Sequence, residues 1–200
     1  MLSEVFKLFW KTVEMKDARR INSQTPPTEI EQFCDIQYID DGLWQHRLDV
    51  YSKSGKLSHR PVIIDIHGGG WMYGTKEINK NYCLVLAQND YVVVNINYRL
   101  APDFSVADQL RDCFFAFKWV STNIEKYGGD LNDVFVTGDS AGGFLAAYSA
   151  LLNSSDKLRK VFGVTESGLE FRACGLTSPV CFMNTHTFQD VYYSRVKGKE

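Results

Sequence analysis

Residues 134–147, VFVTGDSAGGFLAA, place a short β-branched and aromatic run directly before a glycine-rich turn and an apolar helical run. The turn, Gly138-Asp139-Ser140-Ala141-Gly142, has the G-x-S-x-G pattern, and its position between a strand and a helix is what an exposed serine nucleophile requires. So tight a turn strains the serine backbone and presents the hydroxyl at the end of the strand. The stretch therefore predicts an α/β fold with Ser140 as a nucleophile, and a purely structural glycine-rich turn is the alternative.

A second glycine-rich segment, His67-Gly68-Gly69-Gly70-Trp71, follows another short β-branched run. Because glycine has no side chain, the backbone N–H groups of Gly69 and Gly70 can approach a ligand oxygen closely. Together with the N–H of Ala141 they are expected to form an oxyanion hole. A phosphate-binding loop is the alternative, but no Lys-Ser/Thr pair follows the glycines. His67 precedes the glycines, so we expect it to orient this loop rather than to act as a base.

The remaining pattern alternates between strands and helices. Apolar runs typical of buried strands occupy residues 62–66, 91–96, 134–136 and 173–182, and helical stretches occupy about 76–90, 105–127 and 141–153. This alternation predicts a parallel sheet with right-handed crossovers, covered by helices on both faces. Before it, residues 33–39 and 45–51 read as an antiparallel hairpin around Asp40-Asp41-Gly42. We expect one domain over residues 1–200, with a mostly parallel three-layer architecture.

The N-terminal residues read as an amphipathic helix that ends near Arg20. Its apolar side chains, Val5, Phe6, Phe9 and Val13, recur at helical spacing. We expect this helix to dock on its own domain, and a membrane-surface or partner-binding helix is the alternative. Charged residues interrupt the apolar ones, so the segment does not have the pattern of a secretory signal.

The composition of the chain argues against several classes of protein. The chain has 200 residues, 44% of them hydrophobic, and a formal net charge of −2. This balance gives no overall electrostatic case for nucleic acid or an anionic membrane, and no apolar run is long enough to predict a membrane span. The five cysteines form no C-x-x-C pair, which predicts reduced thiols and a cytoplasmic location rather than a disulfide framework or a zinc site.

Three motifs in order, HGGGW at 67–71, YRLAP at 98–102 and GDSAGG at 138–143, resemble those of the hormone-sensitive-lipase-like esterases of the α/β-hydrolase superfamily. The resemblance implies a carboxylic-ester hydrolase that acts on a small-molecule ester through an acyl-enzyme on Ser140, with no cofactor and no metal. It also implies an N-terminal helical cap, for which residues 1–25 are placed. Asp112, on the helix after YRLAP, is expected to be structural.

The acid and the base are the part of the pattern that is not evident. In this superfamily they follow the serine in the order acid, then histidine. Sixty residues follow Ser140, and the histidine among them is His186. We expect it to be an exposed loop or cap residue, and Glu170 precedes the last predicted strand, at the wrong end of the sheet. The acids that follow the serine are Asp156, Glu166, Glu170, Asp190 and Glu200.

The earlier histidines offer no base either. His46 and His59 precede the first strand of the parallel sheet, and we expect both to face solvent. The sequence thus predicts a hydrolase domain without its C-terminal strands, whose activity is limited by a missing acid–histidine pair. A non-catalytic ligand-binding protein on the same fold is the alternative. An unpaired last strand would also favour self-association.

Overall fold

The protein is described by a computed structural model that covers residues 2–55 and 59–181. The described residues form six strands: β1 (Ile30–Gln37), β2 (Arg47–Lys53), β3 (Arg60–Ile66), β4 (Val92–Ile96), β5 (Gly129–Asp139) and β6 (Phe171–Thr177). They also form five α-helices: α1 (Leu2–Asn22), α2 (Lys80–Gln88), α3 (Val106–Asn123), α4 (Ser140–Asn153) and α5 (Asp156–Phe162).

The strands make one mixed sheet in the order β1-β2-β4-β3-β5-β6. β1 pairs antiparallel with β2, and β2 pairs antiparallel with β4. From there the sheet is parallel, with β3 between β4 and β5, and with β6 beside β5. The predicted fold is confirmed: a mostly parallel sheet follows an N-terminal antiparallel pair.

Helices cover both faces of the sheet. Alternate residues of β4 point in opposite directions, so that Val93 packs with Leu84 of α2 on one face. On the other face Val92 and Val94 join a larger core with Phe117 of α3 and residues of α4. This alternation explains why β4 reads as a continuous apolar run, since both of its faces are buried.

The N-terminal helix packs through a face that matches the predicted one at Val13 but not at Phe9. Phe9 is 55% exposed, whereas the neighbouring Trp10 stacks on Tyr73 with ring centroids 5.3 Å apart. The side chains of Val5 and Phe6 lie outside the described residues. The partly shielded positions recur at helical spacing and are Trp10, Val13, Asp17 and Ile21. Within residues 2–55 and 59–181, no helix combines the length and the hydropathy needed to cross a membrane.

The last strand is shorter than predicted. β6 ends at Thr177 rather than near Phe182, because Ser178 takes a positive φ of 45° and Pro179 cannot donate to the ladder. Beyond β6 the chain turns back, and the N–H of Val180 donates to the carbonyl of Ser140 at 3.1 Å. The short helix α5 was not predicted from the sequence.

The prediction that His46 faces solvent is wrong, whereas His59 is exposed. His46 is 2% exposed, with Nδ1 2.6 Å from Asp41 and Nε2 3.2 Å from Asp112. Burial acts to lower the pKa of His46, but these two carboxylates outweigh it and raise the pKa above the ordinary value. Its burial depends on an acid 66 positions further along the chain, which no local pattern reveals.

Asp112 is fully buried and joins three parts of the chain, in keeping with its expected structural role. It accepts hydrogen bonds from the backbone N–H of Arg99 at 2.9 Å and from the Arg99 guanidinium at 2.6 Å, besides facing His46. The residues after β4 and those before β2 are thereby fixed to α3.

We expect Asp112→Ala to lower the free energy of unfolding by about 3 kcal/mol, because it leaves the Arg99 guanidinium and the His46 ring without their buried partner. Urea unfolding measures the loss. Asp133→Ala is the matched control, since Asp133 is half-buried and lies 3.9 Å from the exposed Arg172; its effect should stay within about 0.5 kcal/mol. Equal losses in the two variants would contradict a structural role for Asp112.

Candidate active site

The turn between β5 and α4 holds Ser140 in a strained conformation. Ser140 has a φ of 51°, in the left-handed region that a residue other than glycine rarely adopts. A Cβ at Gly138 would lie 2.5 Å from the carbonyl of Gly142, and one at Gly142 would overlap the carbonyl of Ile66. Glycine is therefore required on both sides of the serine, which remains partly exposed at the C-terminal end of β5.

The triple-glycine loop lies directly against this turn, because β3 and β5 are neighbours in the sheet. The N–H of Gly68 donates to Oδ1 of Asp139 at 2.9 Å, and a Cβ at Gly68 would collide with the same carboxylate. Gly69 and Gly70 follow with φ values of 113° and 57°. The two predicted halves of the site, residues 67–71 and 138–142, are thus brought together, while the individual roles of Ser140, Gly69, Gly70 and Ala141 stay predictions.

His67 is fully buried beneath the loop. Its Nδ1 lies 2.7 Å from the Gly68 carbonyl, and its ring stacks on Tyr98 at 4.4 Å. The Tyr98 hydroxyl donates in turn to the His67 carbonyl at 2.8 Å. Burial lowers the pKa of His67 to about 4, so the ring is neutral at physiological pH. These contacts suit the predicted orienting role better than that of a base.

Three polar residues that the sequence analysis did not single out connect the loop and the turn. The carboxamide nitrogen of Asn79 lies 3.0 Å from Oδ2 of Asp65 and 2.8 Å from Oδ1 of Asp139. Burial raises the pKa of Asp65 to about 7, and the charge of Asp139 acts in the same direction. Asp139 could have been considered as part of the pentapeptide, but Asn79 lies in no recognisable motif.

No described histidine is hydrogen-bonded to Ser140. His46 is held by Asp41 and Asp112, His67 is buried under the loop, and His59 precedes β3 at the opposite end of the sheet. His186, Asp190 and Glu200 lie outside the described residues.

The described acids do not complete a catalytic pair either. Glu170 lies immediately before β6 and so at the N-terminal end of that strand, as predicted. Asp156 begins α5, and Glu166 is exposed between α5 and β6. Among residues 2–55 and 59–181, no group of three or more His, Cys, Asp or Glu side chains could hold a metal ion.

Comparison with known proteins gives a consistent picture. The profile of the BD-FAE family matches residues 48–174, which include both glycine-rich segments. Versiconal hemiacetal acetate esterase from Dothistroma septosporum is 36% identical over 56% of this chain and 33% of its own length. Carboxylesterase NlhH from Mycobacterium tuberculosis is 32% identical over 70% of this chain and 45% of its own length.

Solved structures agree in fold. The crystal structure of esterase B from Lactobacillus rhamnosis superimposes with a TM-score of 0.90 at 31% identity, covering 98% of this chain and 63% of that one. Its complex with a tributyrin phosphonate gives a TM-score of 0.86 at 34% identity, over 90% and 58% of the two chains. The matched region thus spans between a third and a half of the two curated relatives and about three fifths of esterase B.

Asp65 predicts a specific pH dependence of stability. Its pKa is about 7 in the folded state and near 3.8 in the unfolded state, so the folded state keeps a proton that the unfolded state releases. The contribution of Asp65 to the unfolding free energy therefore falls as the pH rises from about 4 to 7, by up to roughly 1.4 kcal/mol per unit. We expect Asp65→Asn to gain stability relative to the wild type over this range in urea titrations.

The pH dependence of the unfolding free energy has to be compared between variants, because His67 changes this free energy in the opposite direction to Asp65. Its folded pKa of about 4 lies below the unfolded value of 6.5, so its contribution is lost as the pH falls from 6.5 to 4. Asp65→Asn retains His67, so the difference from the wild type isolates Asp65. Asp133→Asn, at a half-buried position away from the site, should show the pH dependence of the wild type. The same pH dependence in Asp65→Asn as in the wild type would contradict the prediction.

Proposed function

Because the chain belongs to the BD-FAE family and has the α/β-hydrolase fold of the hormone-sensitive-lipase-like esterases, we propose that it performs acyl transfer from carboxylic esters to Ser140. The names of its relatives share the word esterase, and the proposal takes the substrate to be a small-molecule carboxylic ester. It requires no cofactor and no metal, since acyl transfer to serine uses protein groups alone.

One observation carries the proposal. Ser140 takes a strained backbone conformation at the C-terminal end of β5, directly against a loop of three glycines. Backbone strain of about 1–3 kcal/mol persists only where the surroundings enforce it, and it concentrates at functional sites. A purely structural turn has no need of a serine at this position, because glycine would adopt the same φ without strain.

The chemistry follows from this placement. The Ser140 hydroxyl oxygen attacks the ester carbonyl carbon, and the carbonyl oxygen becomes an oxyanion. The N–H groups of Gly69, Gly70 and Ala141 stabilise that charge, aided by the positive end of the α4 dipole. The intermediate collapses with loss of the alcohol, which leaves an acyl-enzyme, and water then attacks the acyl carbon and releases the acid.

Proton transfer limits this sequence of steps. The serine hydroxyl loses a proton during attack, and the departing alkoxide gains one, so a base poised near neutral pH accelerates both steps. The described residues supply no such base next to Ser140, since His67 is buried and neutral. We therefore expect turnover several orders of magnitude below that of a complete triad, with the residual rate coming from oxyanion stabilisation and binding.

The same observation favours a second candidate, a non-catalytic protein that binds a small ligand at this site. An intact oxyanion loop without an adjacent base can hold a carbonyl oxygen or a carboxylate without turning anything over. The two candidates differ in one property, the reactivity of the Ser140 hydroxyl toward an electrophile.

We expect a fluorophosphonate probe to label the wild-type protein, and a short-chain aryl ester to be hydrolysed slowly. Both reactions should disappear in Ser140→Ala, because the attacking oxygen is removed. Ser154→Ala is the matched control, since Ser154 is exposed at the far end of α4, and it should behave like the wild type. Labelling is read by intact mass and hydrolysis by absorbance.

The alternative outcomes are equally distinct. An unlabelled wild type that binds a carboxylate or ester ligand would support the binding protein and overturn the esterase. Labelling that survives in Ser140→Ala would overturn the assignment of the nucleophile. Turnover at the rate of ordinary esterases, abolished in Ser140→Ala, would show that a base acts on the serine after all.

We further propose that the chain is cytoplasmic. All five cysteines are free thiols, which supports a reducing compartment.

We also propose that the chain self-associates through the open edge of β6. β6 pairs with β5 on one side, and within the described residues no strand pairs with its other side. Such an edge offers unpaired N–H and C=O groups to a second chain.

Charge at this edge tests the association. Leu176 is 44% exposed on β6, and we expect Leu176→Lys to shift the protein toward monomer in sedimentation velocity experiments, because like charges would face each other across the paired edge. Leu151→Lys, at a 54% exposed position on α4, is the control and should leave the distribution unchanged. A wild type that stays monomeric at high concentration would contradict the proposal.

A further inference from the structure

Asp139 occupies the position before α4 where an aspartate ordinarily caps the helix, but its side chain makes no capping hydrogen bond. An aspartate at this position usually accepts from the backbone N–H two or three residues further along. Here that bond would take the N–H of Ala141 or Gly142. The first of these is the donor that the proposed oxyanion hole needs.

The Asp139 carboxylate is instead directed across the site by two other donors. Its Oδ1 accepts from the N–H of Gly68 at 2.9 Å and from the carboxamide of Asn79 at 2.8 Å. A second acid, Asp65, bonds the same carboxamide at 3.0 Å, and burial together with the Asp139 charge raises the pKa of Asp65 to about 7. Asn79 thus lies between the two acids and gives Asp139 a second donor beside the Gly68 N–H.

Asn79 has the chemistry for this position. Its NH₂ group has two N–H donors, and its nitrogen lies within hydrogen-bond distance of both Asp65 Oδ2 and Asp139 Oδ1. Aspartate at this position would add a third acid and no donor. A serine hydroxyl has one proton and could serve one acid at a time.

The backbone around Asn79 is itself well anchored. It follows a 3₁₀ turn at Lys76–Ile78 and precedes α2, and its N–H donates to the Lys76 carbonyl at 3.2 Å. The buried ammonium of Lys76 lies 2.9 Å from Asp49 of β2, and the Lys76 N–H donates to the Asn97 side chain at 2.7 Å. The carboxamide is therefore presented from a fixed point of the fold rather than from a free loop.

We propose that Asn79 is a positioning residue that keeps the Asp139 carboxylate on the Gly68 N–H and away from the N-terminus of α4, so that the Ala141 N–H is open to the substrate oxyanion. This inference rests on the proposed ester chemistry at Ser140. Asn79 touches no reacting atom and acts through Asp139. Without it, the carboxylate turns toward Ala141, where its negative charge both occupies the donor and repels the developing oxyanion.

The kinetic test follows inactivation of the wild type and its variants by a p-nitrophenyl alkylphosphonate. The serine oxygen displaces p-nitrophenolate at phosphorus, and negative charge builds on the phosphonyl oxygen, which takes the place of the ester oxyanion. We expect Asn79→Ala to lower the limiting inactivation rate about tenfold, the effect of losing one hydrogen bond to a charged group, with little change in the half-saturating concentration. Asn81→Ala is the matched control, since its carboxamide bonds the exposed Gln24, and its rate should equal that of the wild type.

Repeating Asn79→Ala in the Asp139→Ala variant distinguishes a positioning role of Asn79 from a general loss of structure. Asp139→Ala removes the carboxylate that Asn79 is proposed to restrain, so adding Asn79→Ala to it should change the limiting rate less than twofold. A merely structural role, exerted through Asp65 or the 3₁₀ turn, would slow both backgrounds equally. Equal slowing, or an unchanged rate in the single variant, would overturn the proposal.

Amide exchange gives a readout that does not depend on reactivity. In Ser140→Ala protein studied by NMR, Asn79→Ala should speed exchange of the Gly68 N–H and slow that of Ala141, because the carboxylate moves from one to the other. Unchanged exchange at both amides would overturn the positioning role. If the wild type is not labelled by the phosphonate but the exchange pattern shifts as expected, the ester proposal fails while the role of Asn79 in placing Asp139 stands.

Discussion

The site depends on the close approach of two backbones, the β5–α4 turn and the loop after β3. A side chain at Gly142 would overlap the Ile66 carbonyl, and one at Gly68 would collide with Asp139. Parallel pairing of β3 with β5 sets the distance, since Ile66 is registered with Gly138 at the ends of the two strands. The strain at Ser140 is held in place by this contact and by the sheet behind it, rather than by the turn alone.

The second constraint on the site is the charge of its carboxylates, because the pairing of β3 with β5 places two aspartates close together near the C-terminal ends of these strands. Asp65 is the penultimate residue of β3 and Asp139 is the last residue of β5, and the raised pKa of Asp65 reflects both its burial and its acidic neighbour. One carboxamide, that of Asn79, lies within hydrogen-bond distance of both acids. The loop after β3 therefore does two things: it places three glycines against the turn that holds Ser140, and it continues to Asn79, whose carboxamide bonds both acids.

Local pattern was sufficient to predict the features that are encoded within a few residues. The strand–turn–helix of residues 134–147, the triple glycine and the mixed sheet all follow from adjacent residue types. His46 was misjudged because its partner Asp112 is distant in sequence, and a histidine in a polar stretch reads as exposed. Asn79 and Asp65 escaped notice for the same reason, since their meaning arises only when β3, β5 and α2 are packed together.

The structure also separates two tasks that occur together in most serine hydrolases: stabilising the negative charge and transferring the proton. The strained serine and the triple-glycine loop are held by β3, β5 and α4, at the centre of the sheet, and no described histidine is hydrogen-bonded to Ser140. A site of this kind stabilises negative charge on a bound oxygen whether or not a base assists the attack. In a family member whose described residues supply no base beside Ser140, the proposed oxyanion hole uses only groups of residues 67–71 and 138–142, and ligand binding and slow acyl transfer are the two functions proposed for this arrangement.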